Sequence, residues 1–203
     1  MPAEAVQLEA LILGRELTGE NHLRLSLLEP ETGRREVFFR QTQANKGTPP
    51  DLFDRGEFHL EAAKSGRAWF VREFRLLRRL SGIATRYAAF QAAAEWALFL
   101  RHNAVHCQDP ATVYDIALKT FGALESAAQP EAALLKGFFL FSRQEGWPVR
   151  EQWLRGLPAT EAETAARILN TPLEALDTEP EAARRLARAL KNWLAARDDV
   201  ELG

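Results

Sequence analysis

Seven cations crowd into residues 64–86: Lys64, Arg67, Arg72, Arg75, Arg78, Arg79 and Arg86, set against the single acid Glu73. That is a local charge of +6 in a chain whose net charge is −2, so the rest of the chain sums to −8. A forked guanidinium donates two hydrogen bonds to a phosphate, and a local patch attracts a polyanion whatever the overall charge. Trp69 and Phe70 sit inside the same stretch and offer rings on which unpaired bases can stack. As neighbours on a strand they point to opposite faces, so at most one is expected in solvent. Arg34, Arg35, Arg40 and Lys46 lie on or near a neighbouring strand and loop and can extend the patch. The bland reading is a solvated strand face running into a basic helix start, with both aromatics in a core.

Other chemistry-bearing groups are sparser. Phe138, Phe139, Phe141 and Trp147 cluster beside Arg143. An apolar pocket rimmed by arginine suits an acidic peptide with a hydrophobic end, and core packing is the competing use. Trp153 is a further candidate anchor. His102 and His106 are one helical turn apart with Cys107 next to them, but zinc wants three or four supported ligands, and a solvated or structural pair accounts for them better. Glu161 and Glu163 fall in a first helical turn, where acids favour the helix dipole. The chain carries no phosphate-binding glycine loop, no dinucleotide-binding glycine motif and no nucleophile elbow. No catalytic residue, metal or cofactor is therefore assigned, and the chain is read as a binding protein and not an enzyme.

The elements that must position these residues change character once. Up to about residue 75 the period is two. Leu23, Leu25 and Leu27 alternate with Arg24 and Ser26, and Phe58, Leu60 and Ala62 alternate with Glu57, His59 and Glu61. Residues 5–13, 36–40 and 67–75 are further runs of strand length. Turn residues separate them at Pro30 to Gly33 and at Lys64 to Gly66, and a polar loop runs from Gln41 to Asp51. Five short strands in this span predict a small OB-fold-like barrel, with an SH3-like barrel as the rival. From about residue 80 the period is 3.6. Ile83, Tyr87, Phe90, Ala94, Ala97 and Leu98 form one stripe. Asp109-Pro110, Pro130 and Pro180 each open a helix, Thr160 and Glu163 have capping-box spacing, and the helix through Leu134 to Phe141 is apolar all round and predicted central. The reading is an α+β chain, with a five-stranded barrel over 1–78 and an all-α domain over 79–203.

Composition agrees with an ordinary globular protein: 46% of the 203 residues are apolar and 27% charged. One cysteine, Cys107, excludes an internal disulfide and fits a reducing compartment. With no leader-like segment and no apolar run near the length of a bilayer span, a cytoplasmic protein with no membrane partner is expected.

The layout resembles RecO, the bacterial recombination-mediator family. The likeness is carried by Ala10-Leu11-Ile12-Leu13-Gly14-Arg15 with Thr18-Gly19-Glu20-Asn21-His22-Leu23, by Leu52-Phe53 leading to Phe58-His59-Leu60-Glu61, by Tyr87 to Leu100 with Ala94-Glu95, and by Phe138 to Gly146-Trp147-Pro148. It covers most of the chain through order and spacing of short motifs. The resemblance implies an OB-fold followed by helices, binding of single- and double-stranded DNA, and strand annealing. It also implies recombinase loading with two partners, RecR and the acidic C-terminal tail of single-strand binding protein. Arg67, Arg72, Arg75, Arg78, Arg79 and Arg86 would hold phosphates, with Arg35, Arg40 and Lys46 assisting. Phe141, Arg143 and Trp147 would meet the partner tail. The sequence departs from the family in lacking the four zinc-site cysteines, in a less basic Arg40 to Lys46 stretch, and in a Pro148 one residue nearer Gly146. The alternative is a protein–protein adaptor on the same scaffold, its arginines paired with acids across the domain junction; a hydrolase or transferase comes third, with no residue to support it.

Overall fold

The computed structural model describes residues 4–41, 48–64, 66, 68–105, 107–197 and 200. Lys46, Arg67 and His106 lie outside the described residues. Five strands come first: β1 (Ala5–Leu17), β2 (His22–Glu29), β3 (Gly33–Arg40), β4 (Arg55–Ala62) and β5 (Trp69–Arg78). They pair in the order β1-β2-β3-β5-β4, with β4 returning to β1, so the sheet closes into a ring. All contacts are antiparallel except β3 with β5, where the ring is closed by the parallel pairs Phe38–Phe70 and Phe39–Val71.

The length and composition of β1 explain this closure. Its first half pairs with β4 and its second half with β2. Its two faces then serve two cores. Ala10 and Ile12 pack inside the ring with Leu23, Leu25, Leu27, Val37, Phe39, Phe58, Leu60 and Val71. Leu11 and Leu13 face the other way, into the core of the helices, joined there by Leu28 and Phe53. A strand buried on both sides needs an unbroken apolar run, which is what residues 10–13 supply. Gly33, at φ 79°, ends the turn between β2 and β3, a conformation with no steric cost only for glycine.

Helices follow: α1 (Ser81–Ala84), α2 (Tyr87–Asn103), α3 (Pro110–Ser126), α4 (Pro130–Gln144), α5 (Ala159–Asn170) and α6 (Pro180–Ala195), with a π-helical segment Val149–Leu154 between α4 and α5. The side chain of Asp109 accepts from Thr112 N, capping α3, and Pro110 takes its first position. Pro130 and Pro180 likewise begin α4 and α6. α4 is central, packing against α2, α3 and α6. Trp96 and Phe99 of α2 meet Phe138 and Phe141 of α4 in a buried aromatic cluster, with Phe99 and Phe138 edge to face at 4.9 Å.

Two local expectations are corrected. The inward stripe of α2 is Ala89, Ala92, Ala93, Trp96, Ala97, Phe99 and Leu100; Tyr87 and Ala94 face solvent, Tyr87 at 82% exposure, and Phe90 is only partly covered. Alanine on nearly every face leaves the periodicity ambiguous, and the large Trp96 and Phe99 decide the rotation. The residue preceding α5 is Pro158, without a side-chain cap, so Thr160 and Glu163 both lie within the helix and form no capping box.

The two units meet through polar groups as well as apolar ones. Oε1 of Glu9 on β1 accepts from Arg55 Nε at 2.7 Å and from the Tyr114 hydroxyl of α3 at 2.8 Å. Among the described residues, no helix is long and apolar enough to cross a membrane.

Candidate nucleic-acid interface

Strand β5 carries most of the cationic segment, and its geometry departs from simple alternation. Leu60 pairs with Val71 but His59 pairs with Glu73, which leaves Arg72 in a bulge. A bulge inserts one residue and re-aims the next. Phe70 points outward, Val71 inward, Arg72 and Glu73 both lie exposed, Phe74 packs on the ring's core, and Arg75 points outward again. Arg72 and Arg75 thus share the outer face although three residues apart.

Each of these cations meets an acid from elsewhere in the sequence. Arg72 pairs with Glu61. Arg75 grips Glu57 with both arms of its fork, Nε to Oε2 at 2.9 Å, and this bond holds the guanidinium more firmly protonated. Arg78 donates from Nη2 to Glu125 Oε2 of α3 at 2.6 Å. Their side chains are nonetheless 68%, 63% and 58% exposed.

Arg79, Arg86 and Arg35 differ. Arg79 holds Asp54, a carboxylate only 1% exposed, through bonds of 2.9 and 2.6 Å. Arg86 donates to the carbonyls of Leu124, Glu125 and Ala127 at 2.6–2.7 Å, satisfying the C-terminal end of α3. Arg35 reaches Glu29 at 3.1 Å, and its guanidinium lies 5.2 Å from the centre of the Trp69 ring. These three are structural cations. The segment is therefore not one open cationic ribbon. Residues 1–78 hold twelve Lys and Arg against twelve Asp and Glu, and Arg24, Arg35, Arg55, Arg72 and Arg75 each pair with an acid of a neighbouring strand.

Sequence reasoning missed two residues of the outer face. Arg24 of β2 lies opposite Phe38 of β3, which lies opposite Phe70 of β5. The signal was present: in Glu36-Val37-Phe38-Phe39-Arg40 the period of two puts Phe38 on the charged side with Glu36 and Arg40. Arg40 itself ends β3 and is exposed.

The expected partner pocket is corrected. Phe141 is fully buried, 5.0 Å from Phe99 and 5.7 Å from Trp147, and so cannot touch a partner. Trp147 is half-buried, and Arg197 lies over its ring at 5.7 Å. Arg143 is exposed at the end of α4. Trp153 is buried against Phe139. Cys107, which follows the undescribed His106, donates its thiol to Ala104 O at 3.6 Å, and burial raises its pKa. Among the described residues, no group of three or more His, Cys, Asp or Glu could hold a metal ion. A cleft of about 320 Å³ between α2 and α6 is walled by Arg184, Arg188 and Lys191 with Glu95 and Glu131.

No protein-family model matches the sequence, and a search of curated proteins finds no match.

Proposed function

We propose that the chain is a RecO-like recombination mediator whose strand ring is an OB-fold and whose β5 face holds the sugar–phosphate backbone of DNA. The observation that carries this reading is the β5 bulge. It brings Arg72 and Arg75 onto one outer face, with Arg78 at the strand's end, all more than half exposed. Their ion pairs are no obstacle. An exposed pair contributes about 0–1 kcal/mol, so a phosphate can take the carboxylate's place at small cost. Five strands closed in the order 1-2-3-5-4 and followed by helices support the OB-fold assignment. RecR, the tail of single-strand binding protein and a cytoplasmic site belong to the same proposal.

The test is fluorescence anisotropy with labelled single- and double-stranded oligonucleotides at about 50 and about 200 mM salt. Binding that weakens steeply with salt is expected. Replacing Arg72 and Arg75 by Ala lowers the single-strand salt slope by about 1.4, two contacts' worth. Glu57→Gln with Glu61→Gln frees both guanidiniums and raises affinity several-fold. Absence of binding at the lower salt overturns the reading.

A second reading is favoured by a specific observation. Arg78 pairs with Glu125 across the strand–helix junction and Arg79 locks a buried Asp54, the pattern of an adaptor whose arginines serve the fold. On that reading the Glu57→Gln, Glu61→Gln variant binds oligonucleotides no better than the parent.

A further inference from the structure

Phe38 and Phe70 are large apolar side chains that belong to neither hydrophobic core among the described residues. They face each other across the parallel contact that closes the ring, with ring centres 5.8 Å apart and planes tilted by 35°. Their neighbours Val37, Phe39 and Val71 turn inward and are buried. Both phenylalanines turn outward, are only partly covered, and pack against neither hydrophobic cluster. Paired aromatic surface left on a strand face is the kind of apolar patch that marks a contact.

The surroundings indicate what would touch it. The row across the outer face reads Arg24, Phe38, Phe70, Glu61. Along the strands, Arg40 lies two residues beyond Phe38 and Arg72 two residues beyond Phe70. Two residues of strand span about 6.8 Å, close to the phosphate-to-phosphate step of an extended single strand. An apolar platform with Arg24 at its end and the guanidiniums of Arg40 and Arg72 about one nucleotide step beyond it fits a chain of anions that carries a flat ring on each unit.

We propose that Phe38 and Phe70 form a stacking platform for unpaired bases, which makes this face select single strands over duplex. The proposal rests on the nucleic-acid reading above. In a duplex the base faces are covered by their neighbours, and exposing one requires flipping it out at a cost of a few kcal/mol. Unpaired bases offer their faces freely, and every base has one, so no sequence preference follows. The competing role is local: an aromatic cross-strand pair that steadies a parallel contact only two residues long.

The experiment separates the two. Anisotropy is measured with a labelled thymidine oligonucleotide of about 16 residues, a duplex of equal length, and an abasic strand with the same number of phosphates. The native protein is expected to bind the thymidine strand at least about tenfold more tightly than the abasic one. Phe38→Leu with Phe70→Leu keeps apolar contact at the closure but removes the flat rings. It is expected to lose at least about tenfold for the thymidine strand while duplex binding stays within about twofold. Equal native affinity for thymidine and abasic strands overturns the platform and leaves phosphate binding intact; that comparison uses only the unmodified protein and does not depend on the variant folding. Unchanged single-strand binding by a folded Leu variant overturns it too. If the native protein binds none of the three at low salt, the platform and the nucleic-acid reading fall together.

Discussion

Glu29 closes the turn between β2 and β3 with a side chain only 1% exposed, accepting from Glu31 N at 2.8 Å, from the Thr32 hydroxyl and from Arg35. Burial pushes its carboxyl up, yet the hydrogen bonds outweigh this and hold it below the ordinary carboxylate range. Glu9 is held low as well, chiefly by its bond from Arg55. A carboxyl depressed in the folded state contributes stability that is fully present above its unfolded value of about 4.3 and is lost as pH falls through the folded value. Urea midpoints are therefore expected to stay level down to about pH 5 and then fall. Glu29→Ala leaves Arg35 half-buried without its countercharge and should cost about 3 kcal/mol at pH 7, with a shallower acid limb than the parent. An unchanged acid limb in that variant would show that Glu29 is not depressed. The same residues mark a limit of sequence reading. The arginines of 64–86 were visible as a charge run, but their acids were not. Glu57, Glu61, Asp54 and Glu125 are eleven to forty-seven positions away and reach them only through strand pairing and the strand–helix junction.

Elements were read well where the backbone chemistry is local and poorly where packing decides. Asp109-Pro110, Pro130 and Pro180 mark helix starts because a side-chain acceptor and a ring that fixes φ act within one turn. The face of α2 escaped because alanine fits anywhere, and the β5 bulge escaped because one extra residue leaves no trace in an apolar pattern. Two glycines in adjacent helices show the same division between local and tertiary effects. Among the described residues, no atom outside the helix's own backbone and the chain neighbours lies within 4 Å of where a Cβ on Gly122 of α3 would stand, while a Cβ on Gly137 of α4 would meet Thr120 Cγ2 at 2.8 Å and Oγ1 at 3.0 Å. Gly122→Ala is expected to stabilise by about 0.5–1 kcal/mol, from helix propensity alone. Gly137→Ala should instead destabilise by about 1–3 kcal/mol, because α3 and α4 must part or Thr120 must leave its rotamer. Thermal melting of the two variants checks the sign of each. A stabilised Gly137→Ala protein would mean that α3 and α4 do not approach as closely as described.

At the scale of the molecule, the core of the ring and the core of the helices lie on opposite faces of β1. Leu11 and Leu13 belong to the helical cluster, Ala10 and Ile12 to the ring, and Phe53 enters the helical side between Phe90 and Phe121. Phe53 does so at φ 66°, an unfavourable conformation for a bulky side chain that only firm surroundings maintain. Its amide donates to Ile12 O at 2.9 Å, and Ile12 N donates to Asp54 O at the same distance, so the loop before β4 is stitched to the strand that both cores share. The break in hydrophobic period near residue 80 located the change of element type but carried no hint of this sharing, since a buried run such as 10–13 looks the same whether one core or two lie against it. A strand shared by both cores makes unfolding of one half expose the other. Phe53→Ala should therefore cost about 3–5 kcal/mol, and the cost should appear on both sides of β1. Native-state hydrogen exchange reads this directly: the amides of Leu25 and Val37 in the ring and of Leu135 and Phe138 in α4 should lose protection by the same free energy. Loss confined to the α4 amides, with the ring unaffected, would show two independently stable units, and a ligand held on β5 would then have no energetic hold on the helices behind it.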